Sequence, residues 1–125
     1  MTTNNYSFLI ALGVAALLCI CSTPVQAQSG ADAFGDCAGC HSVEKGMDSV
    51  GPSLYGIIGR QVSTEAGFPY SNAMKTQKFV WTNDLLDRFI ANPGAMIPGT
   101  TMTYSGTPDA RQRAAIIAYL KAQAK

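Results

Sequence analysis

Cys37-Ala38-Gly39-Cys40-His41 decides the reading of this chain. Two thiols three positions apart can each add to a vinyl group of one haem, and a histidine directly after the second thiol can reach the iron. Other uses account for less of it. A thioredoxin-like redox pair would use Cys37 and Cys40, but it belongs beside a strand-helix-strand pattern that the chain lacks, and it leaves His41 idle. A structural zinc site needs four ligands, and beyond an N-terminal apolar stretch the sequence offers two Cys and one His. His41 is the only histidine of the chain, and a lone histidine is more often a surface or core residue than a ligand. Only its place after Cys40 overturns that expectation.

N-terminal to the motif, Phe8 to Cys21 is an unbroken run of apolar, Cys and Gly residues, followed by Ser22-Thr23-Pro24 and Val25-Gln26-Ala27. The run is too short for a transmembrane helix and suits the core of a secretory signal, with small residues at the cleavage positions. Residues 1–27 are therefore expected to be a signal peptide and 28–125 a single secreted, periplasmic domain. Met1 to Ser7 carries no Lys or Arg, which leaves an uncleaved anchor as the alternative, and lipid attachment at Cys19 or Cys21 is weaker still. Cleavage would remove both of those cysteines, so no disulfide framework is available to the mature domain. All 9 Lys and Arg and all 8 Asp and Glu lie beyond Ala27, for a formal net charge of +1. That balance argues against nucleic acid or an anionic membrane as partner. A domain of about a hundred residues is short of core, and a covalently held apolar disc would supply what is missing.

The rest of the chain predicts helices joined by long loops. A short helix is expected from Ser29 to Asp36, where Gly30 and Phe34 share a face. Gly and turn residues then dominate from Ser42 to Phe79, with one short helix near Ser71 to Thr76. Thr82 reads as an N-cap, with Leu85, Leu86, Phe89 and Ile90 at helical spacing until Asn92-Pro93 stops the helix. A Gly/Pro-rich loop from Asn92 to Pro108 holds Met96 and Met102. The last helix is expected to open with Thr107 as N-cap and Pro108 at its first position, and to run to about Ala124 with Ile116, Ile117 and Leu120 on its apolar stripe. Spacing alone does not choose between Met96 and Met102 as an iron ligand, and a loop methionine is more often a gap filler.

With the motif stand Val50-Gly51-Pro52-Ser53-Leu54-Tyr55-Gly56, Gly67-Phe68-Pro69-Tyr70, Trp81, the Asn92-Pro93 to Met102 segment and Ile117-Ala118-Tyr119-Leu120. Together these make the chain resemble the class I cytochrome c family over nearly all of the mature domain. The resemblance implies an all-α fold, the class I cytochrome c fold, with three main helices and long loops wrapped around one covalently attached haem c and its iron. First and last helices would cross where Gly30 and Phe34 meet Ile116, Tyr119 and Leu120. It implies His41 and Met102 as axial ligands, the Pro52 carbonyl anchoring the imidazole, and Arg60, Tyr70 and Trp81 holding the inner haem propionate. It also implies a monomeric one-electron carrier, not an enzyme, exchanging electrons with a membrane cytochrome complex, an oxidase or a periplasmic dehydrogenase, without membrane insertion once the signal is removed. A haem subunit of a larger oxidoreductase, or a peroxidase or gas-binding protein with a labile Met102, is the competing reading.

Three features depart from the family pattern. Phe89 and Met74 stand where the family often has Tyr and Asn, both beside the methionine ligand. The lysines that ring the exposed haem edge in mitochondrial members are largely absent, with Asp36, Gly94-Ala95 and Thr101 in the corresponding places.

Overall fold

The structure is a computed structural model that describes residues 29–124, so the expected signal segment lies outside the described residues. Five helices follow one another: α1 (Gly30–Ala38), α2 (Asn72–Lys75), α3 (Asn83–Ala91), α4 (Pro93–Met96) and α5 (Ala110–Gln123). Among the described residues there is no strand beyond an isolated antiparallel bridge between Gln61 and Val80. The all-α class expected from the sequence is the class observed.

Each start is set by a side chain that satisfies an otherwise orphaned amide. The Ser29 hydroxyl accepts from the Asp32 amide, and Asp32 adds a negative charge to the first turn of α1. Ser71 serves Met74 in α2 and Thr82 serves Leu85 in α3. Asn92 works on both sides: its backbone closes α3 by donating to the Arg88 carbonyl, and its side chain accepts from Ala95 at the start of α4. The expectation of an unbroken loop from Asn92 is therefore corrected by one helical turn. Pro93 needs no amide partner at the first helical position, so the residue that stops α3 also begins α4.

The start of α5 also differs from expectation. Asp109, not Thr107, is the N-cap, its carboxylate accepting from the Arg111 amide at 2.8 Å. The Thr107 hydroxyl instead donates to Gln112 Oε1 and accepts from the Asp109 amide, and so supports the turn ahead of the helix.

α1 and α5 cross, and α3 packs against α5. Gly30 makes the first crossing possible, since a Cβ there would lie 2.9 Å from Tyr119 Cβ and 3.3 Å from the Ala115 carbonyl. One turn on, the Phe34 and Tyr119 rings stack with centroids 5.0 Å apart. The core holds Ala33 and Phe34 from α1, Leu86, Phe89 and Ile90 from α3, Ile116 and Leu120 from α5, and Trp81 and Ile97 between them. Gly30→Ala is expected to destabilise the fold by about 1–2 kcal/mol, because overpacking against a rigid Cβ outweighs the small gain in helix propensity at a first-turn position. Chemical denaturation of the two proteins would measure it.

Candidate functional site

α1 ends inside the motif, and the chain then turns tightly. The Cys37 carbonyl accepts from the Cys40 amide at 3.0 Å and from the His41 amide at 2.9 Å, which brings both thiols and the imidazole to one side. The loop after it is closed by three further bonds. Gly51 N–H donates to the Cys40 carbonyl and Leu54 N–H to the Ser42 carbonyl, each at 2.8 Å, while the fully buried Ser53 donates its hydroxyl to the Glu44 carbonyl. Asp48 accepts from the Ser53 amide at 2.8 Å. The result is to bring Pro52 over the imidazole: His41 Nδ1 lies 2.8 Å from the Pro52 carbonyl oxygen. A carbonyl can only accept, so Nδ1 carries the proton and Nε2 keeps its lone pair. Burial holds the His41 imidazole below the usual histidine pKa, with the Pro52 carbonyl pulling the other way, so the neutral form is the favoured one.

Gly51 lies against the face of this ring. A Cβ there would come 2.3 Å from His41 Cε1 and 2.6 Å from Nδ1, a clash no rotamer relieves while the Pro52 bond holds. Gly51→Ala is expected to cost about 3 kcal/mol or more in stability and to disturb the environment of His41, which denaturant titration and the imidazole proton resonances would report.

His41 opens onto a cavity of about 350 Å³ between the loops and the inner faces of α3 and α5. Cys37, Cys40, Pro52, Arg60, Tyr70, Trp81 and Met102 line it as well, so the residues that the resemblance implies for the haem site surround one space. Met96 is not among the lining residues; it is partly buried against the core from α4. Most of the remaining wall is apolar, including Leu54, Phe68, Leu86, Phe89, Ile90, Ile116 and Leu120. Phe89 and Met74, the two departures from the family's polar pattern, both face the cavity and leave that side greasy.

Both thiols are free. Cys37 is pushed up to about 11, by burial first and then by the neighbouring Asp36 and Cys40. At the other wall the Arg60 guanidinium donates to the Ser53 carbonyl at 2.6 Å and pairs with Glu65. The Tyr70 hydroxyl accepts from the Glu65 amide at 3.3 Å. Burial raises the Tyr70 phenol above its ordinary value, so its O–H stays available as a donor. Trp81 is 5% exposed and packs edge-on against Phe79 and Phe89 with centroids 4.9 and 5.1 Å away. Ser53 and Glu65 were not singled out from the sequence. A serine after a Gly-Pro turn and a glutamate in a polar loop carry no signal of their own.

The cavity suits a flat apolar cofactor with a polar margin. It offers two thiols, one neutral imidazole with its second nitrogen anchored, a thioether, aromatic and aliphatic walls, and a guanidinium with a phenol where carboxylates could be held.

Known proteins of one family are similar to the chain over most of its length. A family model described as Cytochrome c matches residues 27–124. Cytochrome c2 of Rhodopila globiformis is 48% identical over 85 residues, spanning 68% of this chain and 80% of that protein. Cytochrome c of Euglena viridis is 44% identical over 97 residues, 77% of this chain and 95% of its own length. Among solved structures, cytochrome cH from Methylobacterium extorquens superposes with a TM-score of 0.71 at 36% identity, covering 77% of this chain and 97% of that one.

Proposed function

Since the chain belongs to the cytochrome c family, electron-transfer proteins with one covalent c-type haem, we propose that it is an exported one-electron carrier whose iron is ligated by His41 and Met102. The observation that carries the ligand assignment is the cavity itself. His41, anchored through Nδ1 to Pro52, and Met102 line it together, whereas Met96 does not. When bound, the haem supplies an iron that gains and loses one electron between its ferric and ferrous states.

The chain's own residues do the rest. Cys37 and Cys40 would tether the group through thioethers, and Pro52 fixes the ring orientation and basicity of His41. Met102 would supply a soft thioether, a donor that favours the ferrous state relative to a second histidine. Arg60, Tyr70 and Trp81 stand where they can hold a propionate that would otherwise be buried without donors. The apolar wall excludes water, which limits reorganisation when the charge changes.

Around the mouth the chain presents Val50, 77% exposed, together with exposed Asp36 and Thr101, and no lysine lines the cavity. Docking to a redox partner should therefore lean less on charge than in lysine-ringed members of the family. Among the described residues no helix is long and apolar enough to cross a membrane. The Phe8 to Cys21 run and Val25-Gln26-Ala27 support export to the periplasm with cleavage before Gln28.

Intact mass and an optical redox titration of the purified protein test this reading together. A chain beginning at Gln28 with one haem's added mass, and a low-spin ferrous spectrum that carbon monoxide leaves unchanged, are expected. An unmodified mass would exclude covalent attachment, and a carbon monoxide complex at equilibrium would exclude a closed sixth position.

A further inference from the structure

The Arg60 guanidinium is gripped from several sides. Nη1 donates to the Glu65 carboxylate and, at 3.3 Å, to the Tyr55 carbonyl, and Nη2 donates to the Ser53 carbonyl. The ion pair is largely out of water, with side-chain exposures of 17% for Arg60 and 14% for Glu65. Glu65 also touches the second polar residue of this wall, since its amide donates to the Tyr70 hydroxyl. Arg60 and Tyr70 line the cavity, whereas Glu65 stands outside the lining and in contact with both.

We propose that Glu65 is a positioning residue for the carboxylate end of the haem, its carboxylate holding Arg60 toward the cavity and biasing the iron toward its ferric state through the charge it sets beside Arg60. The inference rests on the reading that Arg60 and Tyr70 meet a haem propionate. A guanidinium has five N–H donors in a rigid fork, and the three contacts above leave donors for a further carboxylate while fixing the fork's plane. Without Glu65 the same arginine would present an uncompensated charge to the cofactor. With it, the pair is nearly neutral, and a propionate placed against it keeps more of its negative field at the iron. Ferric haem carries one more positive charge than ferrous, so that field favours the ferric state. In a wall this dry, a charge acts with far less screening than at the surface.

The test is potentiometry of the haem-loaded protein in three variants. Glu65→Gln removes the charge and keeps the shape, and is expected to shift the equilibrium with a fixed reference couple toward the ferrous form by about threefold. Glu65→Asp keeps the charge but withdraws it by one methylene, and should fall between Glu65→Gln and the parent. Arg60→Met removes the opposite charge and should shift the equilibrium toward ferric. If Arg60→Met shifts the potential while whichever folded Glu65 variants are obtained match the parent, the role of Glu65 is overturned and that of Arg60 stands. If Arg60→Met leaves the potential unchanged, the placement of the propionate itself is wrong. Loss of thermal stability in Glu65→Gln with an unaltered potential would mean a purely structural ion pair and would also overturn the proposal.

Discussion

Replacing Cys37 and Cys40 together by Ala is expected to leave a chain without native tertiary structure. The reason lies in where the core sits. Leu86, Phe89, Ile90, Ile116, Leu120 and Trp81 are core residues that also form the cavity wall, so the three main helices meet partly through whatever fills it. Without an occupant, the space of about 350 Å³ would leave these apolar walls facing water or void instead of packed against a cofactor. A domain of this size has a total stability of about 5–15 kcal/mol with its core complete. The helices give little in compensation, since α1 and α3 have 9 residues each and α5 has 14, near or below the length at which isolated helices hold in water. Far-ultraviolet circular dichroism of the double variant should show mostly unordered chain. A native-like helical signal with a cooperative thermal transition would mean that the polypeptide carries its own core.

The motif and the central helix were legible in the sequence because each rests on local chemistry or strict spacing, whereas the α1–α5 crossing was expected from the family resemblance alone. Cys37, Cys40 and His41 are adjacent, and Thr82 with Leu86, Phe89 and Ile90 shows both a cap and a period. What escaped depends on choices among equal local options. Asn92-Pro93 is at once a stop and a start, and only the return of the chain over the core makes the second use pay off as α4. Thr107, Pro108 and Asp109 are three successive helix-start residues, and the competition was decided by Gln112 engaging the Thr107 hydroxyl. Glu65 is invisible for another reason. Its pairing with Arg60 requires the chain to double back between Gly59 and Gly67, whose φ angles of 86° and 80° mark the left-handed turns that close the loop. Family resemblance reached Arg60 and Tyr70 because their positions match the pattern, but it gave no reason to look at the carboxylate paired with Arg60.

The two methionines give the sharpest test of the proposed site. Replacing Met102 by Ala should abolish the sulfur-to-iron charge-transfer band of the oxidised protein, lower the reduction potential and admit carbon monoxide to the ferrous form. Water or hydroxide, the ligands left to fill the position, bind ferrous iron poorly compared with a soft thioether. Met96→Ala should keep the band. Its side chain packs partly buried against the core from the last position of α4, outside the cavity lining, so its loss is one of packing and costs about 2 kcal/mol or more of stability. The variants thus separate by kind of effect: Met102→Ala changes the spectrum and potential, and Met96→Ala changes mainly the unfolding midpoint. Survival of the band in Met102→Ala with its disappearance in Met96→Ala would exchange the two roles. That outcome would require Met96 to leave the helix that now holds it, because Asn92 caps α4 through the Ala95 amide at 3.0 Å and Ile97 closes it on the Pro93 carbonyl at 2.9 Å.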